Sequence, residues 1–382
     1  MPVVVCSRPG PDGPDPRGER AVKILTILGT RPEIIRLSRI IPKLDRLCTH
    51  VLVHTGQNFD PALSDLFFRE LEVRAPDRTL GIRGDRFGER IGRILAETER
   101  VLLEERPDRV LVLGDTDSGL SAFVAKRMGI PVYHLEAGNR CFDDRVPEEV
   151  NRRVIDHASD VWMPYTERSR QNLLREGIPG DRVFVVGNPI GEVLRRREPQ
   201  IRASRIHASL GITPGRYLLV TLHRAENVDV ESRLRDFARA LDLARRAHDA
   251  PVIVSTHPRT RARLEQHGVG AADPGVRFLA PFGFFDFVAL ERDATCVLTD
   301  SGTVQEECAI LGVPTVTLRD VTERPETLEC GSNMLSGCDP ETVLACIRAV
   351  LDGRPQWKPP AEYLVDAVSD TVAKVVLGYR RP

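Results

Sequence analysis

The sequence predicts an α/β protein built from two doubly wound halves with a cleft between them. Three observations lead there. Strand-sized apolar runs alternate with longer amphipathic segments, the pattern of a parallel sheet covered by helices. The alternation is interrupted by a charged stretch near residues 190–210 and then restarts. A chain of 382 residues is also too long for one ordinary domain and comfortable for two.

The elements follow in order. Lys23–Leu28 reads as the first strand, then come Gly29-Thr30-Arg31-Pro32-Glu33 and a helical stretch over about 34–47. Residues 50–55, 110–114, 131–135, 161–164 and 183–186 repeat the strand signal, with helical patterns such as Phe87–Glu105 and 118–128 between them. The charged segment 191–209 contains Arg195-Arg196-Arg197, read as a solvated helix face. A second set of strands is expected at 217–222, 252–255, 276–279, 296–298 and 315–318. The amphipathic stretch 361–378 closes the chain. The expected organisation is a flexible extension over 1–20, a first domain over 21–190, a second over 191–360, and a terminal helix within 361–382 that packs back on the first. Two such halves place a ligand cleft outside the carboxyl ends of their strands.

Composition narrows the function classes. With 41% hydrophobic and 29% charged residues the chain can bury two cores, and a formal net charge of -1 offers no global field for nucleic acid or an anionic membrane. Any anion site must be local. Apolar runs are strand-sized, far from the roughly 20 residues that span a bilayer. The first twenty residues are rich in Pro, Gly and charge and lack the long apolar core of a signal peptide. Eight scattered cysteines form no C-x-x-C pair and no zinc spacing, so free buried thiols in a reducing cytoplasm are expected, without metal.

The motifs sit where strands end. At Gly29–Glu33 a glycine permits a tight turn and lets backbone N–H groups approach an anion at a helix N-terminus, with Arg31 adding a phosphate-matching fork. A purely structural turn is the competing reading. Asp115 in Gly114-Asp115-Thr116-Asp117-Ser118 either projects into the cleft or caps a helix. Glu136 lies just past a strand in His134-Leu135-Glu136-Ala137-Gly138. Pro147-Glu148-Glu149 fits a helix start, so one of its carboxylates can be a first-turn residue. Convergence of Asp115, Glu136 and Glu148 would raise some of their pKa values by like-charge repulsion, as proton transfer near neutral pH requires.

In the second half, His223-Arg224 follows a strand and offers a cationic or hydrogen-bonding pair. Ser301 and Gly302 open a helix and suit a diphosphate, and a carboxylate a turn further on suits ribose hydroxyls. Phe284, Phe285 and Phe287 read as core, or one of them flanks a base. Thr322-Glu323-Arg324-Pro325-Glu326 reads as a polar loop at the end of the 315–318 strand, with a plain surface turn as the competing reading.

In this order GTRPE, GDT, HLEAG, PEEVNRR, the GN of Gly187-Asn188, HR, DSG with QEE, and ERPE resemble the non-hydrolysing UDP-N-acetylglucosamine 2-epimerase family over roughly residues 22–380. The resemblance implies two Rossmann-like domains of the glycosyltransferase-B type, a cytoplasmic homodimer, and inversion at C2 of a UDP-sugar with neither NAD nor metal. UDP leaves by anti elimination to a 2-acetamidoglucal and then adds back. By position, Asp115, Glu136 and Glu148 match the catalytic carboxylates and His223 the active-site histidine near the diphosphate. Arg31, Ser301 and Gly302 match diphosphate contacts, Glu307 the ribose carboxylate, and Phe287 an aromatic stacked on uracil.

Arg36 replaces a frequent lysine, keeping the charge but changing its geometry. Gly302-Thr303 replaces a double glycine. Gly56-Gln57-Asn58-Phe59-Asp60 departs from the A-Q-H-R motif with which many bacterial members bind a second, activating UDP-sugar. The stretch EAGNRCFDDRVPEE looks more like members acting on modified 2-acetamido sugars, such as diacetamido-uronates or 6-deoxy sugars. A hydrolysing epimerase, a glycosyltransferase of the same fold and a non-catalytic sugar-nucleotide sensor are the alternatives, and the three carboxylates favour proton chemistry at C2.

Overall fold

The computed structural model describes residues 21–56, 61–84, 86–352 and 356–379. The expected extension over 1–20 and most of the 56–60 motif lie outside them. Two six-stranded parallel sheets carry the fold. The first contains β1 (Lys23–Leu28), β2 (Thr49–His54), β3 (Arg78–Thr79), β4 (Arg109–Leu113), β5 (Val132–Leu135) and β6 (Val161–Met163), in the order β3-β2-β1-β4-β5-β6. The second contains β7 (Leu218–Leu222), β8 (Val252–Thr256), β9 (Val276–Leu279), β10 (Cys296–Thr299), β11 (Thr315–Thr317) and β12 (Asn333–Leu335), in the order β12-β11-β10-β7-β8-β9. Each sheet winds outward in both directions from its first strand. The order therefore reverses between β1 and β4, and again between β7 and β10, which opens a crevice at each carboxyl edge.

Near-continuous apolar runs such as KILTIL and RVLVL suit strands covered on both faces, and β4 is buried along its whole length. That burial includes Arg109, whose guanidinium donates to the Val376 carbonyl and lies 5.6 Å from the Tyr133 ring centroid. The terminal helix Val368–Gly378 is thereby tied to the first sheet, and the Tyr133 hydroxyl donates to the Tyr379 carbonyl beside it. Glu192 holds the start of the same helix through the Ser369 N–H (2.9 Å) and hydroxyl (2.6 Å).

Several expectations need correction. The helix at 34–47 is two helices, Arg31–Leu37 and Ile41–Leu47, because Pro42 has no N–H to return to the Ser38 carbonyl. Residues 183–186 are not a strand: Val183 makes one bridge to Trp162, and Val186 donates to the carbonyl of Pro164, which has no N–H to give back. Residues 118–128 split into a 3-10 turn, Asp117–Leu120, and the helix Ser121–Arg127. Arg197 is not on a solvated face. It is buried, donates to the Leu71 carbonyl at 2.6 Å and pairs with Glu72 at 3.0 Å. The seven described cysteines are free, but only Cys296, Cys308 and Cys346 are buried. No described helix is long and apolar enough to cross a membrane.

Candidate active site

All ten side chains singled out in the sequence line one cavity of about 940 Å3 between the two carboxyl edges: Arg31, Arg36, Asp115, Glu136, Glu148, His223, Phe287, Ser301, Gly302 and Glu307.

The first crevice is acidic. Asp115 follows β4, Glu136 follows β5, and Glu148 lies in the first turn of the helix Pro147–His157. Glu136 adopts the left-handed conformation (φ 71°), which costs a side-chain-bearing residue about 1–2 kcal/mol and is held here by its contacts. Its carboxylate receives Arg36, Arg324 Nη2 at 2.5 Å, the Tyr165 hydroxyl at 3.1 Å and the Asn139 amide at 3.2 Å. Asp115 pairs with Arg152 at 2.7 Å and Glu148 with Arg224 at 3.0 Å.

The arginines are shared in turn. Arg36 and Arg324 both also bind Glu306, closing a four-membered ring of alternating charge with Glu136. Glu323 lies between Arg152 (3.6 Å) and Arg224 (3.3 Å). Because Glu306, Glu323, Arg224 and Arg324 belong to the second half, the network stitches the two halves together at the cavity wall. Removing one member of such a buried pair costs about 3–5 kcal/mol, since the other is left uncompensated.

This network sorts the three carboxylates, and one of them is lifted. Burial pushes the Asp115 carboxyl above its usual range against the pull of Arg152, with Glu136 and Glu148 adding to the rise. Burial acts the same way on Glu136 and Glu148, but Arg36 and Arg324 outweigh it for the first and Arg224 for the second, holding both below the usual range. Asp115 is thus the member of the three poised toward protonation.

The turn at Gly29–Glu33 also differs from expectation. Glu33 accepts from the Gly29 and Thr30 N–H groups at 3.0 and 2.7 Å and from the Ser118 hydroxyl at 2.6 Å, and burial pushes it up to about 7. The backbone donors expected to meet an anion are satisfied internally, so anion contact on this side falls to Arg31. Arg36 is correspondingly committed to Glu136 and Glu306 rather than open toward a phosphate.

The second crevice is basic and donor-rich. Asp300 follows β10 and accepts the N–H groups of His223 and Arg224, each at 2.9 Å, and His223 Nδ1 at 3.0 Å. Despite burial, His223 and these N–H groups hold Asp300 far below the ordinary aspartate range. With Nδ1 engaged, Nε2 of the half-exposed His223 is left for the cavity. Ser301 occupies the N-cap position of the helix Gly302–Leu311 without a side-chain capping bond, and its own N–H is taken by the Thr299 hydroxyl at 2.9 Å. A Cβ at Gly302 would stand 2.6 Å from Glu323 Oε1, so a larger residue here would have to displace the Glu323 carboxylate from its arginines. Phe282, Phe284 and Phe287 line the apolar end, with Phe284 buried as core.

The sequence signals assign no site role to His257, Arg152, Arg324 or Phe282, and of the two readings of 322–326 the surface turn fails, because Glu323 and Arg324 are buried in the network. His257 faces His223 with ring centroids 5.8 Å apart, and burial, then His223 and Arg31, pull it down to about 3. Its position just past β8, before Pro258, was the available signal. Among the described residues no cluster of three His, Cys, Asp or Glu side chains is placed to hold a metal ion.

A family model described as UDP-N-acetylglucosamine 2-epimerase matches residues 43–377. A UDP-N-acetylglucosamine 2-epimerase of Methanocaldococcus jannaschii is 41% identical over 350 residues, covering 89% of this chain and 95% of the relative. A UDP-2,3-diacetamido-2,3-dideoxy-D-glucuronate 2-epimerase of Pseudomonas aeruginosa is 38% identical, covering 86% and 92%. The crystal structure of the M. jannaschii UDP-GlcNAc 2-epimerase in complex with UDP-GlcNAc and UDP superposes with a TM-score of 0.89 at 39% identity, covering 93% of this chain and 99% of that one.

Proposed function

The chain belongs to the UDP-N-acetylglucosamine 2-epimerase family and is an isomerase, and we propose that it interconverts UDP-N-acetylglucosamine and UDP-N-acetylmannosamine without hydrolysing the nucleotide. The observation that carries this reading is the pairing of an acidic crevice with a basic one across a single cavity. In the proposed reaction the C2 proton is removed as UDP departs from C1 on the opposite face. The 2-acetamidoglucal is then reprotonated at C2 from the other side, and UDP adds back.

Asp115, Glu136 and Glu148 together supply proton transfer and assistance to UDP departure. Asp115, pushed toward neutrality by burial, is best suited to hold a proton in one half-reaction and lack it in the other. Glu136 and Glu148 are kept ionised by their arginines, so each stays a carboxylate while Asp115 changes its protonation. His223 Nε2, Arg31 and the start of the helix Gly302–Leu311 stabilise the departing diphosphate. Phe287 flanks the uracil and Glu307 the ribose.

Proton NMR with UDP-N-acetylglucosamine in D2O, without added metal or NAD, tests the proposal. Deuterium at C2 with a new UDP-N-acetylmannosamine signal is expected, whereas UDP with free N-acetylmannosamine would establish the hydrolysing alternative. The likeness to the diacetamido-glucuronate 2-epimerase supports a second reading, in which a modified 2-acetamido sugar is the substrate. Exchange with that sugar but none with UDP-N-acetylglucosamine would select it.

A cytoplasmic location and a homodimer belong to the same proposal. Unpaired thiols suit a reducing compartment. Leu103, Phe123 and Val154 are exposed on helices of the first half, an apolar surface for a second copy to cover. Sedimentation velocity is expected to show a dimer, and a monomer at micromolar concentration would refute it.

A further inference from the structure

Outside the carboxylate–arginine network lies another acidic pair, of which the proposed chemistry uses only one member. The helices Phe284–Arg292 and Gly302–Leu311 pack against each other and bring Glu291 beside Glu307. Glu291 is fully buried, and neither of its side-chain oxygens meets an N–H or hydroxyl donor among the described residues. Its carboxyl lies close enough to that of Glu307 for the two to interact strongly, and Glu307 lines the cavity where Glu291 does not.

Two buried carboxyl groups in contact cannot both be ionised. Without a proton there is no donor between them, and the like charges repel. The surroundings decide which one keeps it. Glu307 feels the Arg36 guanidinium, with Glu306 opposing. Among the described residues the Tyr217 phenol and the Cys308 thiol also interact with Glu291, and neither is a cation. Ionisation therefore falls on Glu307 first.

We propose that Glu291 is a positioning residue for nucleotide recognition: it retains its proton, donates it to one Glu307 oxygen, and so turns the other, charged oxygen toward the vicinal hydroxyls of the bound nucleoside. This rests on the reading of Glu307 as the ribose contact. Burial pushes both carboxyls up, and the Glu291 hydrogen bond pulls Glu307 back down to about 8. Ionised Glu307 accepts hydroxyl donors better than its neutral form does. KM for UDP-N-acetylglucosamine therefore falls as pH rises through the Glu307 ionisation.

The test follows KM and kcat over pH about 6 to 9 in the wild type, Glu291→Leu and Glu291→Gln. Leu fills the volume but removes the donor. It is expected to move the KM limb about one to two pH units higher, the worth of one hydrogen bond to a charged group, with kcat little changed. Gln keeps an N–H donor and is expected to leave the limb near its wild-type position. A limb that stays in place in Glu291→Leu overturns the proposal, and so does a wild-type KM independent of pH, which is read even if the Leu variant does not fold. Binding of UDP against 2′,3′-dideoxy-UDP to the wild type isolates the underlying reading. A preference of about tenfold for UDP is expected. No preference removes Glu307 as the ribose contact, whereas a preference with an unmoved limb removes only Glu291.

Discussion

The two halves of this protein wind their strands in the same order, yet their crevices carry opposite chemistry. Where β1 and β4 part, the cavity wall gathers Asp115, Glu136 and Glu148. Where β7 and β10 part, it gathers His223, His257 and the N-terminus of a helix, while Asp300, just past β10, is consumed in holding the His223–Arg224 turn. An identical scaffold thus supplies a place at each switch point, and the side chains decide whether the place moves protons or holds an anion. The halves are nevertheless not independent: Arg324 joins Arg36 in holding Glu136 ionised, and Arg224 does the same for Glu148, both crossing from the second half.

The strongest attempt to break this division removes the acidic side chains. Asp115→Asn, Glu136→Gln and Glu148→Gln are each expected to lower the rate of C2 deuterium exchange by roughly 10²–10⁴, with the calorimetric Kd for UDP changing by less than about threefold. If two of the three variants keep near-normal exchange, the first crevice is not where the protons move. A smaller effect of the opposite kind sharpens the contrast. Phe287→Ala is expected to weaken UDP binding about tenfold through loss of stacking area, while kcat at saturation stays within about threefold of wild type. A large fall in kcat with unchanged UDP affinity would place Phe287 on the chemical side of the cavity. The Glu291→Leu shift in KM is smaller still, because only a hydrogen bond behind the binding surface is altered.

Much of the fold was legible because its signals are local. The helix Phe87–Glu105 is found with the expected bounds, since a long amphipathic period needs no partner to be read. The strands at 78–79 and 333–335 were missed because Arg78-Thr79 and Asn333-Met334-Leu335 carry too short an apolar run to register. The 183–186 segment misled because Val183 and Val186 are buried there against the β6 edge without completing a ladder. In the site, each residue just past a strand was identifiable from its position. The arginines were harder: Arg324 reaches Glu136 across 188 residues and Arg36 reaches Glu306 across 270, separations over which no local pattern speaks.

The sequence by itself determined the parallel α/β architecture, the two-half organisation and the acidic and basic residues that meet at the cavity, because apolar periodicity and strand-end motifs are properties of neighbouring residues. Only the tertiary structure decided their charge states. A carboxylate's pKa depends on what burial removes and which cation arrives from the other half, and those partners meet only when the two sheets close on one cavity.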